Sequence, residues 1–205
     1  MALLSDTIQK IPAIDQPFYE KALNRLANQA RPAGSLGRLE EASARLAAIK
    51  KTLDVRLPNK YILTCAGDHG IVAEGVSLFP QEVTAQMVYN FIDGGASINV
   101  LARHAGAQVR VADFGVNHEF SPDLPIFHKK IAKGTHNFLK EPAMSRDQAV
   151  SAIEAGIETV NELCAASEID MIGTGDMGIG NTSPSSAIIA AFSGISPEKL
   201  TARGT

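Results

Sequence analysis

The sequence contains no tryptophan, and aromatic residues make up 5% of its 205 positions. So sparse a set cannot furnish a stacking platform for single-stranded nucleic acid. The formal net charge is −3, and without a basic excess neither nucleic acid nor an anionic membrane is expected as a partner. No apolar run approaches the roughly 20 residues that a bilayer-spanning helix needs. The opening Met-Ala-Leu-Leu-Ser-Asp has neither a basic n-region nor a long apolar core, so it does not read as a secretory signal. Cysteine is equally scarce. Cys65 and Cys164 stand alone, outside any Cys-x-x-Cys pair. They read as reduced, packed thiols of a cytoplasmic protein.

Several motifs are missing too. The histidines at 69, 104, 118, 128 and 136 include no i, i+4 pair, so no metal site is expected. Neither Gly178 nor Gly180 leads into Lys-Ser/Thr, which excludes a Walker A loop. No serine sits in Gly-x-Ser-x-Gly, which removes the usual nucleophile elbow. A dinucleotide fingerprint would sit on the first βα turn with an acid about 20 residues on. The one Gly-rich turn here falls late in the chain.

What is present is an alternation of helix and strand patterns. Asp15-Gln16-Pro17 starts a helix with a side-chain cap and a proline in the first turn. Arg31 to Gly37 breaks it. Arg31 and Arg38 flank that break, as a phosphate contact or as a surface pair. A second helix is expected from about Arg38 to Lys51, with Leu39, Ala42, Leu46 and Ile49 on its apolar face. From Asn59 the pattern changes. Tyr61 to Cys65 reads as a buried parallel strand ending in Ala66-Gly67-Asp68-His69-Gly70. Ile71 to Phe79 reads as loop, and Pro80 opens a helix. Ser97 to His104 is a further helix. Val109 to Ala112 is a strand running into Asp113, and Phe127 to Ala132 a more exposed one, with Lys129 and Lys130 on a solvated face. Ser145-Arg-Asp-Gln148 fits a capping box for a long helix. Its expected stripe is Ala149, Ile153, Gly156, Ile157, Val160 and Cys164.

That helix leads into Ile169–Ile172, read as a strand, followed by glycines 173, 175, 178 and 180 and by Asn181-Thr182-Ser183-Pro184. Strand, Gly-rich turn and helix start in that order suit a phosphate, because the backbone permits close approach and the first helical N–H groups are unpaired. The alternation indicates an α/β, Rossmann-like parallel sheet with flanking helices. A small N-terminal helical subdomain over residues 1–55 would precede the Rossmann-like domain over residues 56–205.

Several stretches taken together are more specific than any one. They are Arg31-Pro-Ala-Gly-Ser-Leu-Gly-Arg-Leu-Glu40, Ala66-Gly-Asp-His-Gly70, Glu74-Gly-Val-Ser77, Phe79-Pro-Gln-Glu-Val-Thr-Ala-Gln-Met87 and Asp93-Gly-Gly-Ala-Ser-Ile-Asn99. After them come Asp113-Phe-Gly-Val116, Pro142-Ala-Met-Ser-Arg-Asp-Gln-Ala149 and Gly175-Asp-Met-Gly-Ile-Gly-Asn-Thr182. In this order they resemble the nicotinate-nucleotide–dimethylbenzimidazole phosphoribosyltransferase family. The resemblance implies a glycosyltransferase (pentosyltransferase) of cobalamin nucleotide-loop assembly. It would move the phosphoribosyl group of nicotinate mononucleotide to 5,6-dimethylbenzimidazole, giving α-ribazole 5′-phosphate and nicotinate, with no cofactor and no metal. Homodimers are implied as well.

In family terms, Gly175, Asp176, Met177, Gly178, Ile179, Gly180, Asn181 and Thr182 look like the nucleotide and phosphate site. Ser77, Phe79, Pro80, Gln86 and Met87 look like the benzimidazole pocket, with Met177 also lining it. Asp68 and Asp113 stand at strand ends as crevice acids, or simply as turn caps. The family commonly has Glu where this chain has Asp176. Its general-base glutamate lies in a part of the family's chain beyond Thr205, so no catalytic residue is assigned here. The resemblance thus implies a C-terminally truncated form with little or no activity. The rival readings are a nucleotide-binding module and a nucleotide N-glycosidase or hydrolase using Asp68 or Asp113.

Overall fold

A computed structural model of the chain describes residues 2–202. Residues 5–57 form one compact unit, and residues 58–202, with residues 2–4, form a second.

The N-terminal part begins with α1 (Ala2–Lys10), which the sequence pattern did not announce and which buries none of its residues. Next come α2 (Gln16–Ala27) and α3 (Arg38–Lys50). Asp15 caps α2 by accepting from the Phe18 N–H at 3.0 Å, and Pro17 stands in the first turn, where no N–H is needed. The two helices meet through Ala22, Ala44 and Ala47, with Phe18, Tyr19 and Leu26 packed around them. This corrects the expected face of α3. Leu39 and Ile49 are 68% and 69% exposed. The alanine face is the packed one because small side chains let helix backbones approach closely. In the break between helices, Arg31 donates to the Glu40 carboxylate at 2.5 Å and to the Leu26 carbonyl at 3.1 Å. Arg31 is therefore a structural clamp.

The second unit holds β1 (Lys60–Gly67), a 3₁₀ turn (Gly70–Glu74), α4 (Val83–Asp93), α5 (Ser97–Ala105) and β2 (Ala107–Gly115). It continues with β3 (Phe127–His128), α6 (Arg146–Ala166), β4 (Met171–Met177), α7 (Thr182–Ser193) and α8 (Pro197–Leu200). The strands form one parallel sheet in the order β3-β2-β1-β4. Strands so covered by crossover helices read as continuous apolar runs, as β1 does. All strand C-termini therefore emerge at one edge. Val88, Phe91, Ala96, Val111, Val116 and Phe120 make the core between α4, α5 and the sheet.

Three strand and helix expectations need correcting. β4 starts at Met171 and runs to Met177, past the expected Ile169–Ile172, because Lys60–Ala66 of β1 pairs with it residue by residue over that span. Glycines 173 and 175 are consequently sheet residues, and the turn proper begins at Gly178. β3 stops at His128, and Lys129 and Lys130 do not form a solvated strand face. Lys129 bonds Glu158 and Glu162 of α6, and Lys130 pairs with Asp113 at 3.4 Å. Finally, α6 begins with the expected capping box: Ser145 accepts from the Gln148 N–H at 3.1 Å and the Gln148 side chain accepts from the Ser145 N–H at 2.9 Å. Its buried face, however, is Ala155, Thr159 and Leu163, while Ile153 and Cys164 are exposed. The stripe is rotated because α6 packs on β2 through small residues. Cys65 and Cys164 are free thiols, and only Cys65 is half-buried.

Candidate active site

At the C-terminal edge of the sheet, two cavities open beside the end of β1. The first, of about 250 Å³, is walled by the ends of β1, β2 and β4, by the segment 131–136, and by Met144 and Gln148 near the start of α6. Its lining is largely apolar, with Cys65, Asp68, His69, His136 and Asp176 as the ionisable groups. The second, of about 280 Å³, lies against α4 and is lined by Gln81, Glu82, Gln86, Tyr89, Asn117 and His118, with Asp68 again. In parallel α/β sheets this edge is where ligands bind.

The Gly-rich turn is held to α4 and β1 by close contacts. A Cβ on Gly178 would stand 2.1 Å from the Gly67 carbonyl oxygen and 2.9 Å from His69 Nε2, so only glycine lets the turn lie there. Gly180 has φ +80°, and a Cβ there would meet Val72 at 2.8 Å. The Ile179 N–H donates to the Thr84 hydroxyl at 3.1 Å, and Thr84 is fully buried on α4. The Asp176 carboxylate accepts from the Asn181 side-chain amide, bracing the two ends of the turn. Asn181 itself makes no side-chain cap on α7, so the positive end of that helix is left open at Thr182.

The two strand-end acids have different lives. Asp113, 2% exposed, takes the Gly115 and Val116 N–H groups on Oδ1 at 3.0 and 2.8 Å and faces Lys130 with Oδ2. It caps its turn. Asp68, 3% exposed, accepts from the Asn117 N–H at 2.8 Å on Oδ2, and its Oδ1 has no partner. Beside it, burial pushes His69 below the ordinary imidazole range, against the opposing pull of Asp68 and Asp176. The ring therefore favours its neutral form. Burial, with the Asp176 charge, pushes the Cys65 thiol up, which makes it a poor nucleophile.

The structure brings together Asp68, Asp176 and Met177 in the first cavity and Asp68 and Gln86 in the second. Gly178, Ile179, Gly180, Asn181 and Thr182 form the adjoining turn and helix start, and Gly175 pairs with Thr64 in the sheet. Ser77 accepts from the Phe79 N–H, and Phe79 and Pro80 are exposed on the segment before α4. Met87 packs on the core. None of these four lines either cavity. Thr84 and Asn117 escaped the sequence reading. Thr84 had a signal, a lone hydroxyl in register with Val88 and Phe91 on the buried face of α4; Asn117 acts through its backbone and had none. His69 was visible at the strand end but had no assigned role. Among the described residues no group of His, Cys, Asp or Glu is placed to hold a metal, and no helix is long and apolar enough to cross a membrane.

A parallel sheet with its crevice at the strand ends and a Gly-rich turn entering a helix places the chain in the class of Rossmann-like α/β proteins. A family model described as phosphoribosyltransferase matches residues 11–205. The nicotinate-nucleotide–dimethylbenzimidazole phosphoribosyltransferase of Citrifermentans bemidjiense is 56% identical over 205 residues, covering 100% of this chain and 58% of that protein. The protein of the same name from Geobacter sp. (strain M21) is 55% identical with the same coverage. The crystal structure of CobT from Thermus thermophilus superposes with a TM-score of 0.85 at 40% identity, over 92% of this chain and 56% of that one. The chain belongs to the nicotinate-nucleotide–dimethylbenzimidazole phosphoribosyltransferase family, and it spans 58% of the length of these curated relatives.

Proposed function

We propose that residues 1–205 carry the nucleotide site and the azole pocket of a phosphoribosyl transfer from nicotinate mononucleotide to 5,6-dimethylbenzimidazole, giving α-ribazole 5′-phosphate and nicotinate for cobalamin assembly. The observation that carries this reading is the pair of cavities that share Asp68 at the strand ends, the first of them walled by Asp176 and Met177, which lead into the Gly-rich turn. Such a reaction needs places for two flat rings and one phosphate, and no redox or metal chemistry.

The roles follow from the placements. The turn Gly178–Asn181 and the start of α7 take the phosphate chiefly through the helix dipole, since the Ile179, Asn181 and Ser183 N–H groups are bonded within the protein. Asp176, Met177 and the first cavity receive the nucleotide ring and ribose. Gln86 and the second cavity receive the benzimidazole, while Ser77, Phe79 and Pro80, on the segment before α4, line neither cavity. The pyridinium is already an activated leaving group. Holding C1′ between leaving and attacking nitrogens supplies most of what the protein must contribute. Attack from the opposite face turns the β-nucleotide into the α product. The general base is a glutamate outside residues 1–205. The reading also makes the working protein a cytoplasmic homodimer.

The test is a side-by-side rate. With both substrates, the 205-residue chain is expected to release α-ribazole 5′-phosphate about 10²–10⁴-fold more slowly than the Citrifermentans bemidjiense relative, the usual contribution of a general base. A rate equal to the relative's would place the base inside residues 1–205. Free ribose 5-phosphate released without benzimidazole would replace the transfer by hydrolysis.

A further inference from the structure

Both cavities end on one carboxylate. Asp68 lines each of them, its side chain is almost wholly buried, and its orientation is fixed by the Asn117 N–H on Oδ2. Oδ1 is the one buried side-chain oxygen or nitrogen among the described residues that lacks a hydrogen-bond partner. Asp113, its counterpart at the end of β2, has both oxygens occupied, one of them by Lys130. A turn cap has no need of a spare oxygen, so capping explains Asp113 and leaves Asp68 unexplained.

The surroundings offer Asp68 no counter-charge. No lysine or arginine is among the described residues lining either cavity. Each cavity instead adds a second carboxylate, Asp176 in the first and Glu82 in the second. His69, driven towards its neutral form by burial, does not offset them. A buried unpaired charge is costly unless a ligand completes it. An anion would be repelled at this junction, whereas a flat cation is attracted.

We propose that Asp68 is a catalytic residue of the transfer, its unpaired oxygen serving as counter-charge to a cationic N-ribosylpyridinium whose ring lies in the first cavity, beside Asp176 and Met177, while the attacking azole lies in the second, beside Gln86. The claim rests on the transfer reading above. In the step, the bond from C1′ to the pyridinium nitrogen breaks and its electron pair goes to that nitrogen, which becomes neutral. The lone pair of one azole nitrogen forms the new C1′–N bond, and the proton on the other azole nitrogen passes to the general base of the transfer reading, or to water where that base is absent. Positive charge crosses C1′ and the ribose ring oxygen on the way. A fixed carboxylate at that junction favours the charge where it develops.

The test compares two ligands of one shape, N1-methylnicotinamide, a cation, and nicotinamide, its neutral parent, by NMR titration of the chain. The unaltered chain is expected to bind the cation at least about tenfold more tightly. Asp68→Asn should abolish that preference, and Asp68→Glu, which keeps the charge, should retain most of it. Equal binding by the unaltered chain, or a preference that survives Asp68→Asn, would overturn the proposal. Should Asp68→Asn fail to melt cooperatively, the carboxyl ¹³C resonance of Asp68 in the unaltered chain decides: it moves with the cation and not with nicotinamide, and a resonance indifferent to both overturns the role. Product formation is followed separately. No product beside an intact cation preference sinks the transfer reading and leaves the counter-charge; product without the preference sinks the counter-charge alone.

Discussion

At the scale of single residues, the site depends on positions where one atom too many or one charge too few is decisive. Gly178 is the sharpest case. Gly178→Ala would put a methyl 2.1 Å from the Gly67 carbonyl, so the turn must move away from β1. A stability loss of about 1–3 kcal/mol is expected from such overpacking, with weaker binding of the mononucleotide, read by denaturant melts and by titration. His69 gives a pH signature. Burial lowers its folded pKa below the unfolded value, so the unfolded chain binds the extra proton first. Stability should then be full above the ordinary imidazole pKa of about 6.5 and fall as pH drops through it toward the lower folded value. Thermal melts between pH 8 and 5 check this, and His69→Gln should flatten the slope.

At the scale of elements, caps and ties set how firmly the strand ends are held. Ser145 accepts one of the two reciprocal capping-box bonds with Gln148 at the start of α6, beside the first cavity. Ser145→Ala should cost about 1 kcal/mol, measured as a shift in denaturation midpoint. Thr84 ties α4 to the Gly-rich turn. Thr84→Val keeps the volume and leaves the buried Ile179 N–H without an acceptor, at about 1–3 kcal/mol, whereas Thr84→Ser should retain most of the stability. Elements were also where the sequence was easiest and hardest to read. The stops at Gly94 and Gly106, the Asp15 cap and the Ser145 box are local chemistry and stand out in the residues themselves. The packed faces of α3 and α6 do not, because large apolar side chains at helical spacing outshine the alanines that neighbouring elements select. β4 ran on past Ile172 for a related reason: glycines that would end an isolated strand are kept in it by pairing with β1.

At the scale of the whole chain, the parallel sheet and its crevice follow from alternating strand and helix patterns, and Asp68, Asp113 and the Gly-rich turn could be placed at strand ends from sequence alone. What separated Asp68 from Asp113 was not legible. It depends on Lys130, which a neighbouring segment brings to one acid and not to the other, and on two cavities that converge from distant stretches. α7 marks a different limit. Ile188, Ile189 and Phe192 are exposed, Phe192 at 90%, although Ala187–Phe192 is an unbroken apolar run. Phe192→Ser should therefore change the chain's stability by no more than about 0.5 kcal/mol, by chemical denaturation.

The proposed transfer requires this chain to hold a mononucleotide at the strand ends through the turn after β4. Isothermal titration with nicotinate mononucleotide tests it most directly, with Gly178→Ala as the paired variant. Saturable binding at one site per chain, weakened in the folded variant, is the predicted result. A folded chain that takes up no mononucleotide, or a variant that binds as well as the unaltered chain, would contradict it.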